Sequence, residues 1–346
     1  MRKIKYNDLI KFHREVLKKA GLDKKSIEAV TLGLCESSLR GVDSHGVRLL
    51  PHYVKSALSG RKNPKPQFTF SKKFPAIGFL DADNGFGHAA GMKAIDYCIE
   101  IANIQGIGVV GVCNSSHPGA MASFALKAAR KGFIAFAFTH ADSLTLSHNG
   151  KQPYFGTNPI CVAIPRNEEE PFCLDMATSM ISWNKLLLYK SNQKNLDENL
   201  AADNDGNPTT IPEQATCLMP AGSYKGFGLA AMVDALCGIF TGMAFGSEIP
   251  SMYKSPMEKT RNLGQFYLVM RTDGCINKDD FLNSMQKMTN EVRNEPAQEG
   301  EKVMIAGDPQ IIESSIRRKE GIPLDEATIK EFEKLSNKFG VSFSLI

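Results

Sequence analysis

The 346-residue sequence has no C-x-x-C pair among its eight cysteines. Nor does any apolar run in it reach the roughly 18 residues of a membrane span. It also lacks an excess of either charge, with 41 Lys and Arg against 37 Asp and Glu for a formal net charge of +4. That balance, with the basic residues spread out, argues against a nucleic-acid partner. Solitary cysteines, several in apolar runs (Cys98, Cys113, Cys161, Cys237), read as buried thiols of a reducing compartment rather than disulfides or zinc ligands. The amino terminus, MRKIKYNDLIKFHREVLKK, is charged throughout and has no apolar segment of the signal-peptide kind. These absences predict a cytoplasmic protein with no membrane partner. A G-x-G-x-x-G dinucleotide fingerprint is missing too: NGFGHAAG has its third glycine one residue late, and YKGFGLAA does not fit.

What is present is a soluble globular composition, 42% hydrophobic and 23% charged. Apolar residues at three- and four-residue spacing predict helices in NDLIKFHREVLKKAG and DKKSIEAVTLGLCESSLRG, with Asn7 and Asp23 as N-caps and Gly21 and Gly41 as stops. His13, on the charged first helix, is expected at the surface. A Pro/Lys-rich connector, Gly60 to Gln67, then leads into alternating strands and helices. HAAGMKAIDYCIEIANIQG and GAMASFALKAARKG read as helices, and IGVVGVCN, FIAFAFTHA, NPICVAIP and FCLDMAT as buried strands. This texture predicts an α/β sheet covered on both faces. Residues 192–212 read as a polar surface loop, 226–242 as a long apolar helix and 266–271 as a strand, before amphipathic helices return. We divide the chain into a helical part (1–72), an α/β core binding cofactor and substrate (73–295), and carboxyl-terminal helices (296–346) that pack with the first part.

All seven histidines precede residue 150, yet there is no H-E-x-x-H and no close Cys/His group, so no metal site is expected. His45 stands out by its neighbours in LRGVDSHGVRLLPHYV. If Ser44 caps a helix, Arg48 lies one turn from both Ser44 and His45. A guanidinium fork beside an imidazole suits a substrate carboxylate next to a group that gains or loses a proton. The same residues would equally serve a capped helix whose His and Arg satisfy nearby carbonyls. NSSHPGA leaves a strand and enters a helix, the edge where α/β sheets bind ligands, so His117 is a second acid/base candidate, a cofactor contact, or a fixed loop histidine. Lys225 opens a long helix, a fair anion site. Asp175 ends a strand, where it could accept ribose hydroxyls or simply close a turn.

Taken in order, RGVDSHGVRLLPHYV, NSSHPGA, FGTNPICVAIP, DMATS, AADNDGNPTT, YKGFGLAAMVDALCG and GIPLDEATIKEF make the chain resemble the malate/L-lactate dehydrogenase family of the second type, which includes ureidoglycolate, sulfolactate and diketogulonate-type enzymes. The resemblance implies a family-specific, non-Rossmann α/β fold: a mixed sheet covered by helices, with a helical part built from both termini. It implies a homodimer and hydride transfer between NAD, or NADP, and a small 2-oxo or 2-hydroxy acid. His45 would be the proton donor in reduction, Ser44 its orienting group, Arg48 the carboxylate clamp and Thr157 a substrate neighbour. His117, Gly119, Ala120, Ser123, Asp175, Met176, Ala177, Lys225 and Gly226 would meet the cofactor, as would the turn at Gly307, Asp308 and Pro309, which often reads P-G-E in the family. In ureidoglycolate-type members the histidine of NSSHPGA is an alternative base, so His45 and His117 compete. Two departures stand out. Asn184 replaces a usual glycine before Lys185, and Gln265 a frequent histidine; Gln265, with Trp183, leans toward the ureidoglycolate branch. The expected activity is malate-like, with ureidoglycolate oxidation as the nearest alternative. A metal-dependent hydrolase using the clustered histidines and a non-catalytic binding protein are the alternatives of other classes.

Overall fold

The computed structural model describes residues 2–345. A short strand, β1 (Arg2–Ile4), leads into helices α1 (Tyr6–Lys19), α2 (Lys24–Leu39) and α3 (Leu50–Leu58). Asp23 caps α2 as expected, its carboxylate accepting the Ser26 N–H at 2.8 Å. Asn7 does not cap α1. The helix starts at Tyr6, two residues after β1 ends, so Asn7 falls inside its first turn. His13 is also not at the surface. Leu9, Phe12, His13, Val16 and Leu17 form one buried stripe at i, i+3, i+4, i+7 and i+8. The ring meets Phe332 edge-on, and its Nδ1–H donates to Leu9 O at 2.9 Å.

The core follows in chain order. Its first half holds β2 (Thr69–Phe74), β3 (Ile77–Asp81), α4 (Gly87–Gln105), β4 (Ile107–Ser115), α5 (Ala122–Ala129), β5 (Phe133–Thr139), β6 (Thr145–Leu146), β7 (Pro153–Phe155), β8 (Ile160–Ile164) and β9 (Phe172–Met176). The second half holds α6 (Trp183–Ser191), β10 (Ala201–Ala202), β11 (Pro208–Thr209), β12 (Cys217–Leu218), α7 (Tyr224–Asp234), β13 (Leu263–Arg271) and α8 (Lys278–Arg293). Seven strands form a mixed sheet in the order β2-β3-β4-β13-β5-β8-β9. β3 and β4 are parallel, joined through α4. β13 slots between β4 and β5 and runs antiparallel to both, which leaves those two parallel and connected through α5.

Strand alternation decides which residue faces which layer. Ala135, Ala137, Tyr267 and Val269 join the apolar cluster under α4 and α5, while Phe136, Phe138, Phe266 and Leu268 join Val233 and Cys237 on the opposite face. The expected mixed sheet covered by helices is therefore present. The polar stretch 192–212 differs from expectation: Leu196, Leu200, Ala201 and Ala202 are buried, and β10 and β11 join a second sheet of order β11-β10-β12-β6-β7. The long apolar helix also stops short, α7 passing at Asp234 into a wider π turn, Ala235–Ile239. The Asp234 carboxylate is engaged there by His140 Nδ1 (3.2 Å) and the Gly246 N–H (2.8 Å).

The chain closes with α9 (Asp308–Glu320), β14 (Ile322–Leu324) and α10 (Glu326–Phe339). β14 pairs with β1, and Ile329, Phe332 and Leu335 of α10 share one apolar cluster with Leu9, Val16, Leu34 and Tyr53. Both termini thus build the helical part together. Among the described residues, no helix is long and apolar enough to cross a membrane.

Candidate active site

The segment between α2 and α3 folds as two single 3-10 turns, Asp43–His45 and Val47–Leu49. Arg317 of α9 anchors it, its guanidinium donating to both Asp43 carboxylate oxygens at 2.7 and 2.9 Å. Ser44 caps no helix, because it lies inside the first turn, which starts at Asp43 after Val42. Its Oγ instead sits 2.9 Å from His45 Nδ1. Holding Nδ1 leaves Nε2 of His45 for a ligand. Burial and the Arg48 guanidinium depress the His45 pKa from 6.5 to about 4. Arg48 is partly buried, and no hydrogen bond or ion pair engages its guanidinium among the described residues.

His117, seventy-two residues later in the chain, stacks on His45 with ring centres 5.7 Å apart. The Tyr53 hydroxyl of α3 lies 2.7 Å from His117 Nδ1. Burial, followed by the nearby His45 and Lys62, drives the His117 pKa well below its ordinary range. Lys62 is itself buried, with Nζ 4.0 Å over the Tyr53 ring and 4.9 Å from Phe86. Tyr53 and Lys62 were not singled out from sequence. Tyr53 at least could have been, because one helical turn separates it from the Arg48–Leu50 stretch.

Several of the remaining candidate residues lie near the sheet edge where β4 and β9 end and β8 begins. The turn after β4 carries Gly119 with φ +79°, and a Cβ there would fall 2.6 Å from His88 Nε2, so glycine is needed on both counts. Ala120 and Ser123 follow into α5, whose Ala122 N–H donates to the Asp175 carboxylate at 2.8 Å. Asp175 and Met176 end β9, and Met176 pairs with Ile160. Two residues past Met176, Thr178 donates to Thr157 O from both its N–H (2.9 Å) and its hydroxyl (3.0 Å). The start of α7 presses on the same strand end: a Cβ on Gly226 would lie 2.3 Å from Ala221 O and 2.5 Å from Thr178 O. Lys225 is exposed beside it.

The turn 306–309 lies against β9, with the Cys173 N–H donating to Ala306 O at 3.2 Å and Gly307 at φ +101°. Pro309 sits in the first turn of α9. The Asp308 carboxylate is already engaged by Arg293, at 2.7 and 2.9 Å, and by the Ile305 N–H at 3.2 Å. Gln265 is likewise consumed: its amide nitrogen donates to Ser115 Oγ (2.7 Å) and its oxygen accepts from the Tyr267 hydroxyl (2.7 Å). It braces the turn that carries His117.

Chemically, the first group offers an unpaired guanidinium beside an imidazole held by a hydroxyl, an arrangement for fixing a carboxylate while a proton moves at the adjoining carbon's oxygen. The second offers the exposed Lys225 at the start of α7, whose Lys225, Gly226 and Phe227 N–H groups already donate to the Gly222, Ala221 and Ser223 carbonyls, and the Asp175 carboxylate at a strand end. An ammonium and a carboxylate suit a phosphate and a ribose hydroxyl of a dinucleotide. No group of three or more His, Cys, Asp or Glu side chains converges on one point among the described residues.

Comparison with known proteins gives the same direction. A sequence profile described as malate/L-lactate dehydrogenase matches residues 4–333. The malate dehydrogenase of Pyrococcus abyssi (strain GE5 / Orsay) is 33% identical over 350 residues, covering 98% of this chain and 95% of that protein. The ureidoglycolate dehydrogenase (NAD(+)) of Escherichia coli (strain K12) is 32% identical over 306 residues, covering 88% and 87%. The crystal structure of malate dehydrogenase from Entamoeba histolytica superposes with a TM-score of 0.93 at 27% identity, covering 99% of both chains.

Proposed function

The chain belongs to the malate/L-lactate dehydrogenase family, and from that premise we propose that it interconverts a 2-hydroxy acid and its 2-oxo acid with NAD, malate being the first substrate to test. The observation that carries the reading is the unpaired Arg48 guanidinium next to a His45 ring held through Nδ1 by Ser44.

Arg48 fixes the substrate's C1 carboxylate, bidentate in the way a guanidinium fork permits. In oxidation, neutral His45 takes the proton of the C2 hydroxyl. In reduction, the imidazolium returns it to the C2 oxygen. The depressed His45 pKa favours the neutral, proton-accepting ring at neutral pH. Thr157 borders the substrate, and His117, braced by Tyr53 and Gln265, stands between substrate and cofactor. Lys225, at the start of α7, would hold the cofactor phosphates and Asp175 a ribose, flanked by Gly119, Ala120, Ser123, Met176, Ala177, Gly226 and the turn at Gly307–Pro309. When bound, the nicotinamide gives or takes the hydride.

A cytoplasmic homodimer completes the proposal. Its support is twofold. All eight cysteines are unpaired thiols, seven of them buried. The turn after α7 leaves Ile239 and Phe240 63% and 52% exposed, an apolar face that a second copy would cover.

The test is a panel of malate, lactate, sulfolactate and ureidoglycolate, each with NAD and NADP, followed by absorbance of the reduced cofactor. Malate with NAD should give the highest kcat/KM. A clear preference for ureidoglycolate or for NADP would replace that part of the reading, and no turnover with any pair would overturn it.

A further inference from the structure

Asn184 stands at the second position of α6, yet it does no work for that helix. Ser182 is the cap, its Oγ accepting the Lys185 N–H at 3.2 Å. The buried Asn184 amide instead reaches two distant segments. Its Nδ2–H donates to the Ser44 carbonyl at 2.8 Å, and its Oδ1 accepts from the Tyr253 hydroxyl at 3.0 Å. The Ser44 carbonyl can only accept, so this amide orientation alone serves both contacts. Tyr253 in turn sits on a segment that is pinned in place. Arg61, buried three residues past the end of α3, donates to four carbonyls there: Met252 (2.8 Å), Ser255 (3.0 Å), Pro256 (2.7 Å) and Met257 (3.1 Å). Ser59 Oγ adds a bond to Met257 O at 2.8 Å.

A continuous chain of contacts therefore runs from the Arg61-pinned segment through Tyr253 and Asn184 to the backbone of Ser44, whose side chain holds His45 Nδ1. The 3-10 turn carrying Ser44 and His45 is three residues long and has no side-chain cap of its own. Its orientation has to come from outside contacts. Arg317 fixes one end of it through Asp43, and Asn184 fixes the carbonyl next to the histidine.

We propose that Asn184 is a positioning residue for proton transfer, setting the Ser44–His45 pair through the Ser44 carbonyl and tying it to the Tyr253 segment. The proposal rests on His45 being the proton-transfer residue, as argued above. Asn184→Ala removes both contacts. Asn184→Asp keeps an acceptor for Tyr253 but, ionised, has no donor for the Ser44 carbonyl. Tyr253→Phe removes only the outer contact.

The experiment measures kcat, KM and the NADH dissociation constant for these three variants, for His45→Ala and for the Asn184→Ala/His45→Ala pair, each checked by circular dichroism. Asn184→Ala and Asn184→Asp should both lower kcat about tenfold or more, since misplacement of a reacting group by about an ångström can cost as much as 100-fold. NADH affinity should stay within twofold of wild type, and Tyr253→Phe should show a smaller loss of the same kind. The double variant should be no slower than His45→Ala alone, because Asn184 acts through His45. If His45→Ala is crippled while Asn184→Ala and Asn184→Asp turn over normally, the positioning role falls and the His45 reading stands. If His45→Ala itself turns over normally, both fall. Losses that simply multiply in the double variant would also overturn the positioning role, whatever the melting temperatures do.

Discussion

The Tyr53 hydroxyl lies 2.7 Å from His117 Nδ1, while the His45 Nδ1 is held by a different hydroxyl, that of Ser44, at 2.9 Å. The two rings stack 5.7 Å apart, so the site holds two oriented imidazoles and the proton has two candidate carriers. Their surroundings differ. His45 is next to Arg48, which would hold the carboxylate. His117 leaves β4 on the turn that enters α5, and Asp175 is bonded to that helix's start. We therefore predict that His45→Ala lowers kcat by about 100- to 10,000-fold, the usual contribution of a positioned acid–base group, with NADH still bound. His117→Ala should mainly raise the NADH dissociation constant. Stopped-flow turnover with a fluorescence titration separates the two, and the reverse pattern would hand the proton to His117.

Arg48→Lys tests the carboxylate clamp. Lysine keeps the charge but offers a single point where guanidinium offers a planar fork, so one of two parallel hydrogen bonds is lost. A charge-assisted bond is worth enough to lower kcat/KM about 10- to 100-fold, and NADH affinity should not change. Steady-state kinetics settle it: an unaltered kcat/KM would remove Arg48 from the substrate.

Local pattern made most of the helices and the main sheet's strands readable, because burial on one stripe or on alternate residues leaves a period in the sequence. The same period, applied to His13, would have placed it inside. Its charged neighbours Lys11, Arg14 and Glu15 lie on the exposed face of α1 and make the stretch look polar throughout. Sheet order was not readable, since β13 enters between β4 and β5 from far along the chain. The site shows the same division. Ser44, His45 and Arg48 lie within five residues and declare themselves, whereas Tyr53 and His117, or Asn184 and Ser44, meet across 64 and 140 residues. Asn184 was visible as a departure from a family pattern, but a lone asparagine carries no sign of which carbonyl it will meet. Residues 192–212 look like a loop because their few apolar side chains are spaced for two-residue strands, too short to show alternation.

Lys225 offers a test of the cofactor end that leaves the substrate end untouched. It is exposed at the first turn of α7, where its charge and the positive end of the helix dipole attract the same anion. Lys225→Ala should weaken NADH binding about tenfold at low salt, the loss of one charge-assisted contact. The residual affinity should depend less on ionic strength than wild type does, because one screened attraction is gone. A dissociation constant that does not move at low salt would place the phosphates elsewhere.

His13 predicts how the fold responds to acid. Burial lowers its pKa from 6.5 to about 4, against a smaller opposing effect of the bond to Leu9 O. The folded state therefore keeps the ring neutral where the unfolded chain takes up a proton. Above pH 6.5 both states are neutral and the histidine adds no pH dependence. As pH falls from 6.5 toward about 4 the unfolded state binds the extra proton, and stability is lost. By pH 4.5 that loss amounts to about 2 to 3 kcal/mol from this one ring. Its Nε2 is buried with no hydrogen-bond partner among the described residues, so an apolar side chain of similar size is a fair replacement. His13→Leu should match wild type within about 1 kcal/mol at pH 7. It should lose about 2 to 3 kcal/mol less on going to pH 4.5. The partly buried His45, His52 and His117 and the buried His88 have depressed pKa values too, so both proteins become less stable in acid, and only the difference between them reports on His13. Urea unfolding at the two pH values measures it, and equal losses in the two proteins would mean that this ring is already protonated in the folded chain.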